Sequence, residues 1–260
     1  MDHYSYTQIS NYLQCPLKYK YRYVDGWRER EEKASLIFGR VFQKAVEAHF
    51  LGLEPVEFFT FQWSSLKSAA LEYGNGDSWE KMLEQGQELL RRFRTDQRVQ
   101  IDDGRRDLQV KLQRPLAGRD FVGYLDALGR VDGIRCVIEW KTSTQSYPEA
   151  SPRVLQLDPQ LVCYSWLTQI QEVCLVNFVR KKQPEIQYLH AWIRKRQWKA
   201  FDRTVGTLVS DMEARTFYPR SGIRYPNNQC LNCPYLGLCL HQKKLVQENL
   251  TRVEAQPTDG

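Results

Sequence analysis

No apolar run in this sequence approaches the roughly 20 residues that carry a helix across a bilayer, which excludes a membrane-spanning helix. The N-terminus, MDHYSYTQIS, lacks the apolar stretch of a secretory leader. The expectation is therefore a soluble, cytoplasmic chain with no membrane partner. Internal repeats are also missing, and no tract is of low complexity.

What is present fits one large domain with elaborations. The chain has 260 residues, 42% of them hydrophobic, and a formal net charge of +6. That charge is modest but favours an anionic partner. The basic residues cluster at 18–23 (KYKYRY), 91–94 (RRFR), 180–182 (RKK) and 194–199 (RKRQWK), with aromatics interleaved. Any one cluster reads as a solvated helix face. Together they point to nucleic acid, with phosphates on Lys and Arg and bases on rings.

Along the chain, residues 5–24 read as helical, capped by Ser5 or Thr7 and interrupted at Pro16. Residues 25–35 read as a charged loop. Helices are expected from 35 or 36 to 51, over 56–73 and over 78–98, the last two separated by the turn residues 74–77. The character then changes: 108–116, 120–128 and 136–143 read as strands, 153–171 as a helix, 172–180 and 185–193 as strands, and 195–215 as a helix. Residues 218–229 read as irregular, and the tail from about 246 as disordered. An α/β core behind a mostly helical first hundred residues is the expected class. The expected division is a single domain over 1–245: a mostly helical part over 1–100 with Cys15, an α/β core at 105–200, and a C-terminal helix and cysteine cluster over 201–245.

The most informative stretch is GYLDALGRVDGIRCVIEWKTS, residues 123–143. It reads as two strands joined by a turn built on Arg130, Asp132 and Gly133. Asp126 lies on the first strand; Glu139 and Lys141 lie two apart on the second and so share a face. If the strands pair antiparallel, Asp126 and Glu139 come close enough to share a divalent cation, with Lys141 beside them. Such a set suits metal-assisted phosphodiester hydrolysis. A hairpin with Asp, Glu and Lys on an exposed face is common, and an exposed ion pair contributes little. Glu139 differs because it interrupts an apolar strand, between Cys136-Val137-Ile138 and Trp140. An unpaired carboxylate there is costly, which favours a functional group or a bound cation.

Seven cysteines in an intracellular chain favour metal or cluster ligation over disulfides. Cys230, Cys233 and Cys239 form C-x2-C-x5-C, close enough for one loop to wrap a metal with three thiolates. Cys15 is the natural fourth ligand. Cys136, Cys163 and Cys174 lie in apolar segments and read as buried thiols. The spacing admits either zinc or an iron–sulfur cluster.

The pattern G-x-x-D, a short hairpin and then I-E-W-K-T-S resembles the core of the PD-(D/E)XK nuclease superfamily. More narrowly, it resembles the RecB-like nucleases and CRISPR-associated exonucleases that carry a cluster. The cysteine contexts, S10-N-Y-L-Q-C15-P-L-K-Y19 and C230-L-N-C233-P-Y-L-G-L-C239, resemble that branch at both ends. Q160-L-V-C-Y164 resembles its Q-x-x-x-Y motif, which places Gln160 and Tyr164 on one helix face. The resemblance covers about residues 5–240. It implies a restriction-endonuclease-like core, a mixed sheet flanked by helices, with a helical N-terminal elaboration and a C-terminal cluster region. It implies a [4Fe–4S] cluster on Cys15, Cys230, Cys233 and Cys239. It further implies Mg²⁺ or Mn²⁺ on Asp126, Glu139 and the backbone carbonyl of Trp140, with Lys141, Gln160 and Tyr164 completing the catalytic set. The family's G-x-x-x-H segment is here G39-R-V-F-Q43, so Gln43 stands at the histidine position. A neutral amide oxygen is a weaker extra ligand; Glu47, one turn on, could reach the same metal, whereas His49 is out of register. The implied protein is a metal-dependent DNA nuclease, an exonuclease on single strands or DNA ends, in repair, recombination or CRISPR-type processing with protein partners. The alternative, supported by Gln43, is a DNA-binding or complex-assembly protein that keeps the fold and has lost turnover.

Overall fold

The structure, a computed structural model, describes residues 3–74, 76–148, 151–220 and 229–253. The chain divides into two compact units. Residues 1–32, 115–122 and 202–260 form the first, and residues 33–114 and 123–201 the second.

In chain order, β1 (Tyr4–Ser5) runs directly into α1 (Tyr6–Gln14). The Ser5 hydroxyl accepts from the Gln8 amide, and Gln8 Oε1 accepts from the Ser5 amide at 2.9 Å. This reciprocal cap satisfies two orphan donors. Pro16 opens α2 (Pro16–Tyr19), because a missing N–H costs little in a first turn. The chain then widens into a π-helical turn over Lys20–Val24. Next come β2 (Trp27–Glu29), β3 (Glu32–Lys33), α3 (Ala34–Phe50), α4 (Pro55–Ser64), β4 (Leu71–Glu72) and α5 (Trp79–Thr95). Strands β5 (Val99–Gln100), β6 (Leu108–Leu116), β7 (Arg119–Val131) and β8 (Ile134–Ser143) follow. After them stand α6 (Ser151–Leu155), α7 (Pro159–Thr168), β9 (Glu172–Val179) and β10 (Glu185–Trp192). The chain ends with α8 (Lys195–Glu213), α9 (Leu236–Cys239), α10 (Lys243–Asn249) and β11 (Leu250–Arg252).

The second unit is the expected mixed sheet flanked by helices. Its strands run β7-β8-β9-β10, with β5 and β6 also paired to β7. The β7–β8 and β9–β10 pairs are antiparallel, whereas β8–β9 is parallel. The parallel pair needs a crossover, which α6 and α7 provide. On one face, Phe38 and Phe42 of α3, Phe59 and Trp63 of α4, and Phe93 of α5 pack on Ile138, Trp140, Val176 and Phe178. Each such side chain contributes about 1.5–3 kcal/mol when fully buried. Glu139 and Lys141 alternate with Ile138 and Trp140, so they point to the other face, toward α7.

In the first unit, β1 pairs parallel with Phe121 and Val122 of β7, and β2 pairs antiparallel with β11. Tyr12 and Tyr19 meet edge to face at 5.4 Å beside Phe217, and the Tyr12 hydroxyl donates to the Thr216 carbonyl. Gly26, at φ +77°, lies where a Cβ would come 2.4 Å from the Val253 carbonyl oxygen, so only glycine fits there.

Four segments differ from the sequence expectation. The loop at 25–35 holds β2 and β3, and β2 draws its order from a partner more than 200 residues away. The helix expected over 56–73 stops at Ser64; the Ser65 hydroxyl turns back to the Gln62 carbonyl at 2.8 Å, offering the backbone an alternative to helix. The helix expected over 153–171 is broken by Pro159, and Asp158 caps the new start by accepting from the amides of Gln160 and Leu161. The tail expected to be disordered from 246 instead continues α10 and pairs through β11. Residues 221–228 of the expected irregular stretch, and 254–260 of the tail, lie outside the described residues. Among the described residues, no helix is long and apolar enough to cross a membrane.

Candidate active site

The β7–β8 hairpin turns on Asp132 (φ +51°) and Gly133 (φ +78°), as a two-residue turn with both central residues left-handed requires. Arg98 pins that turn with two hydrogen bonds to Asp132, at 2.7 and 2.6 Å. From there the ladder climbs to Ala127↔Ile138. One step further, Asp126 stands level with Glu139. There the Asp126 carboxylate takes the place of a backbone acceptor: Oδ2 receives the Trp140 amide at 2.9 Å.

Glu139 is buried. Its Oε1 accepts from the Lys141 ammonium and from Gln160 Nε2, the latter at 2.8 Å. Its Oε2 is buried with no hydrogen-bond partner. Burial, then the nearby charge of Asp126, pushes the Glu139 pKa up. Burial also raises that of Asp126, against the opposing pull of the Trp140 amide, a hydrogen bond shared with Glu139, Lys141 and Gln43. Burial pulls the Lys141 pKa down, but Glu139 and Asp126 outweigh it and hold the ammonium charged.

Gln160 ties the set together. Its Oε1 accepts from Lys141 Nζ at 3.1 Å, and its Nε2 also donates to the Tyr164 hydroxyl at 3.1 Å. Both residues are carried by α7. Gly123 sets how closely that helix approaches β7, since a Cβ there would meet Leu167 Cδ1 at 2.2 Å. From α3, Gln43 Nε2 donates to Asp126 Oδ1 at 2.6 Å. Glu47, one turn on, has its pKa raised to about 7 by burial and by Asp126. It accepts from Gln109 Nε2 at 2.8 Å. The Trp140 ring lies in the core, stacked on Phe50 and edge-on to Phe93, while its backbone faces Asp126.

The structure thus brings together Gln43, Asp126, Glu139, Lys141, Gln160 and Tyr164, with Glu47 beside them. Sequence reading missed Gln109. A glutamine on a strand carries no signal of its own, although its φ of +50° marks it once the backbone is seen. His49 turns away, edge-on to Phe50 and Phe93.

Three acids against one lysine leave a deficit of positive charge, and the orphaned Glu139 oxygen is an acceptor lacking a donor. A divalent cation fits both. Among the described residues, no trio of acidic, histidine or cysteine side chains already stands in coordinating geometry. A hard cation that keeps several of its waters needs only one or two carboxylates.

In the first unit, Cys15 sits in extended conformation between α1 and α2. Cys230 and Cys233 lie in the turns before α9, and Cys239 ends that helix. None of the four is in a disulfide, and all line one cavity of about 130 Å³, walled also by Lys18, Tyr21 and Tyr235. Burial raises the pKa of Cys233 and of Cys239. Cys136, Cys163 and Cys174 are buried, as expected.

This arrangement of strand carboxylates, lysine and flanking helices is that of a nuclease fold, and the comparison with known families agrees. The PD-(D/E)XK nuclease superfamily matches residues 3–240, and the chain belongs to that superfamily. The crystal structure of a "putative exonuclease" from Eubacterium rectale is similar at a TM-score of 0.59 and 12% identity, covering 99% of this chain and 91% of its own; at that identity it shows the fold alone. A second solved structure, SSO0001, aligns with 15% identity over 92% of this chain and 86% of its own, but its TM-score of 0.44 carries no argument. No curated protein matches.

Proposed function

We propose that this chain is a metal-dependent DNA nuclease of the RecB-like branch, an exonuclease acting on single strands or DNA ends with Mg²⁺ or Mn²⁺. The observation that carries this reading is the buried Glu139, level with Asp126, with one oxygen unpartnered. Asp126, Glu139 and the Trp140 carbonyl would hold the cation, and Gln43 Oε1 could add a ligand. A cation bound there lowers the pKa of water and offsets phosphate charge. Lys141, fixed between Glu139 and Gln160, presents a positive charge that orients the attacking water or stabilises the phosphoryl oxygens. Tyr164 holds Gln160, and Gln160 holds Lys141. Gln43 holds Asp126 from the opposite helix. The exonuclease name of the Eubacterium rectale neighbour supports the same reaction class.

Cys15, Cys230, Cys233 and Cys239 would hold a [4Fe–4S] cluster. Four cysteines lining one cavity, none in a disulfide, are the donor set such a cluster takes. Zinc takes the same set, and visible absorption separates the two, since Zn²⁺ is d¹⁰.

Gln43 favours one other reading, a DNA-binding or assembly protein without turnover. The deciding experiment is cleavage of end-labelled single- and double-stranded DNA with Mg²⁺ or Mn²⁺ by anaerobically purified protein. Metal-dependent cleavage that falls by about 10³-fold or more in Glu139→Ala, a size typical of removing a key transition-state contact, is the expected result. DNA binding without cleavage in either metal would overturn the nuclease and leave the binding protein.

A further inference from the structure

Strand β6 leaves one side uncovered. Gln109, Lys111 and Gln113 are exposed, alternating with half-buried Val110, Leu112 and Arg114. On the neighbouring strand, Tyr124 is 40% exposed while Gly123 and Leu125 on either side are buried. Lys111 Nζ lies over the Tyr124 ring, 5.6 Å from its centroid, so the two residues share this face. None of these four residues is acidic. The face is joined to the acid site through Gln109, which bonds Glu47 beside Asp126.

An exposed ring with a lysine over one face, leading to a carboxylate cluster, has the chemistry of a single-strand track. Bases stack on the ring and phosphates meet the cation. We propose that this bare face of β6 and β7 carries single-stranded DNA into the site, with Tyr124 stacking one base and Lys111 holding the adjoining phosphate. The inference rests on the nuclease reading for its direction, but it is tested by binding alone. Tyr124 is exposed and stands apart from the buried hydrogen-bond set, so replacing it leaves the fold intact.

The test is fluorescence anisotropy of a labelled oligothymidylate in EDTA, where no cleavage occurs, with wild type, Tyr124→Ala, Tyr124→Phe and Lys111→Gln. Tyr124→Ala is expected to bind about tenfold more weakly, the effect of one stacked base. Tyr124→Phe, which keeps the ring, restores binding to within about twofold. Lys111→Gln lowers the salt slope by about one. Oligonucleotides with a single abasic site, walked along the strand, should reveal one position at which wild type loses its advantage over Tyr124→Ala. An undiminished affinity in Tyr124→Ala, a loss independent of abasic position, or failure of wild type to bind the single strand would each overturn the track. Binding that follows the expected pattern in a wild type unable to cleave with Mg²⁺ or Mn²⁺ would sink the nuclease reading and leave the track standing.

Discussion

The carboxylate cluster of the second unit and the cysteine set of the first are built on opposite plans. Asp126, Glu139, Lys141 and Gln160 are cross-bonded to one another and to the Trp140 amide, on strands and helices anchored by an aromatic core. The four cysteines come from an inter-helix joint, two turns and a one-turn helix around a hollow. The first arrangement is organised by the chain itself, and the proposed cation would relieve its remaining charge imbalance. In the second, the chain supplies donors whose convergence would be left to the proposed cluster. Preorganisation of that first kind is what a reaction centre needs; the second kind couples ligand binding to folding.

The contrast is tested most severely at Cys233. Cys233→Ser should abolish the visible absorption of anaerobically purified protein and lower its melting temperature by about 10 °C or more, because bound-ligand free energy is folding free energy in such a set. Glu139→Ala should leave both nearly untouched. An unchanged melting temperature in Cys233→Ser, measured by calorimetry, would mean that the thiols are as self-organised as the carboxylates.

A middle-sized effect belongs to pH. Glu47 sits at about 7 rather than near 4.5, and Glu139 is raised with it. Such carboxyls hold their protons more tightly folded than unfolded, so the native state binds more protons across that window. Stability of the metal-free protein therefore falls as pH climbs from about 4.5 through about 7. Mg²⁺ should restore a few degrees of melting temperature at pH 8 by mass action and add little at pH 5. Glu139→Gln should flatten the pH slope. A metal-free protein that gains stability over this range would contradict the electrostatics of the site.

The smallest effect is expected at Gln43. Gln43→His should keep the rate within about tenfold while moving metal preference toward softer ions, since imidazole suits them better than an amide oxygen. Initial rates across Mg²⁺, Mn²⁺ and Co²⁺ would measure it. Loss of all activity would show that holding Asp126, rather than contact with a metal, is what the amide does.

Much of this site could be read from the chain, because its parts are local. Asp126, Glu139 and Lys141 lie within sixteen residues, and strand alternation plus an Asp-Gly turn fixes their pairing. Gln160 and Tyr164 needed only the helical repeat. The joint at Pro159 was written in the sequence too, yet the apolar residues around it read as one continuous helix. Contacts between distant segments left no local pattern. Gln109 reaches Glu47 across 62 residues, and β2 finds β11 across more than 200. Neither segment has a periodicity that names its partner.

The substitution of a carboxylate for a ladder acceptor at Asp126 has a spectroscopic consequence. The Trp140 amide proton is held by a side chain whose charge changes with proton or cation occupancy, unlike the amides of Ile138 and Val137 in the regular sheet. Its nitrogen and proton resonances should track the state of the centre while neighbouring amides stay fixed, making one backbone signal a gauge of what the two carboxylates hold.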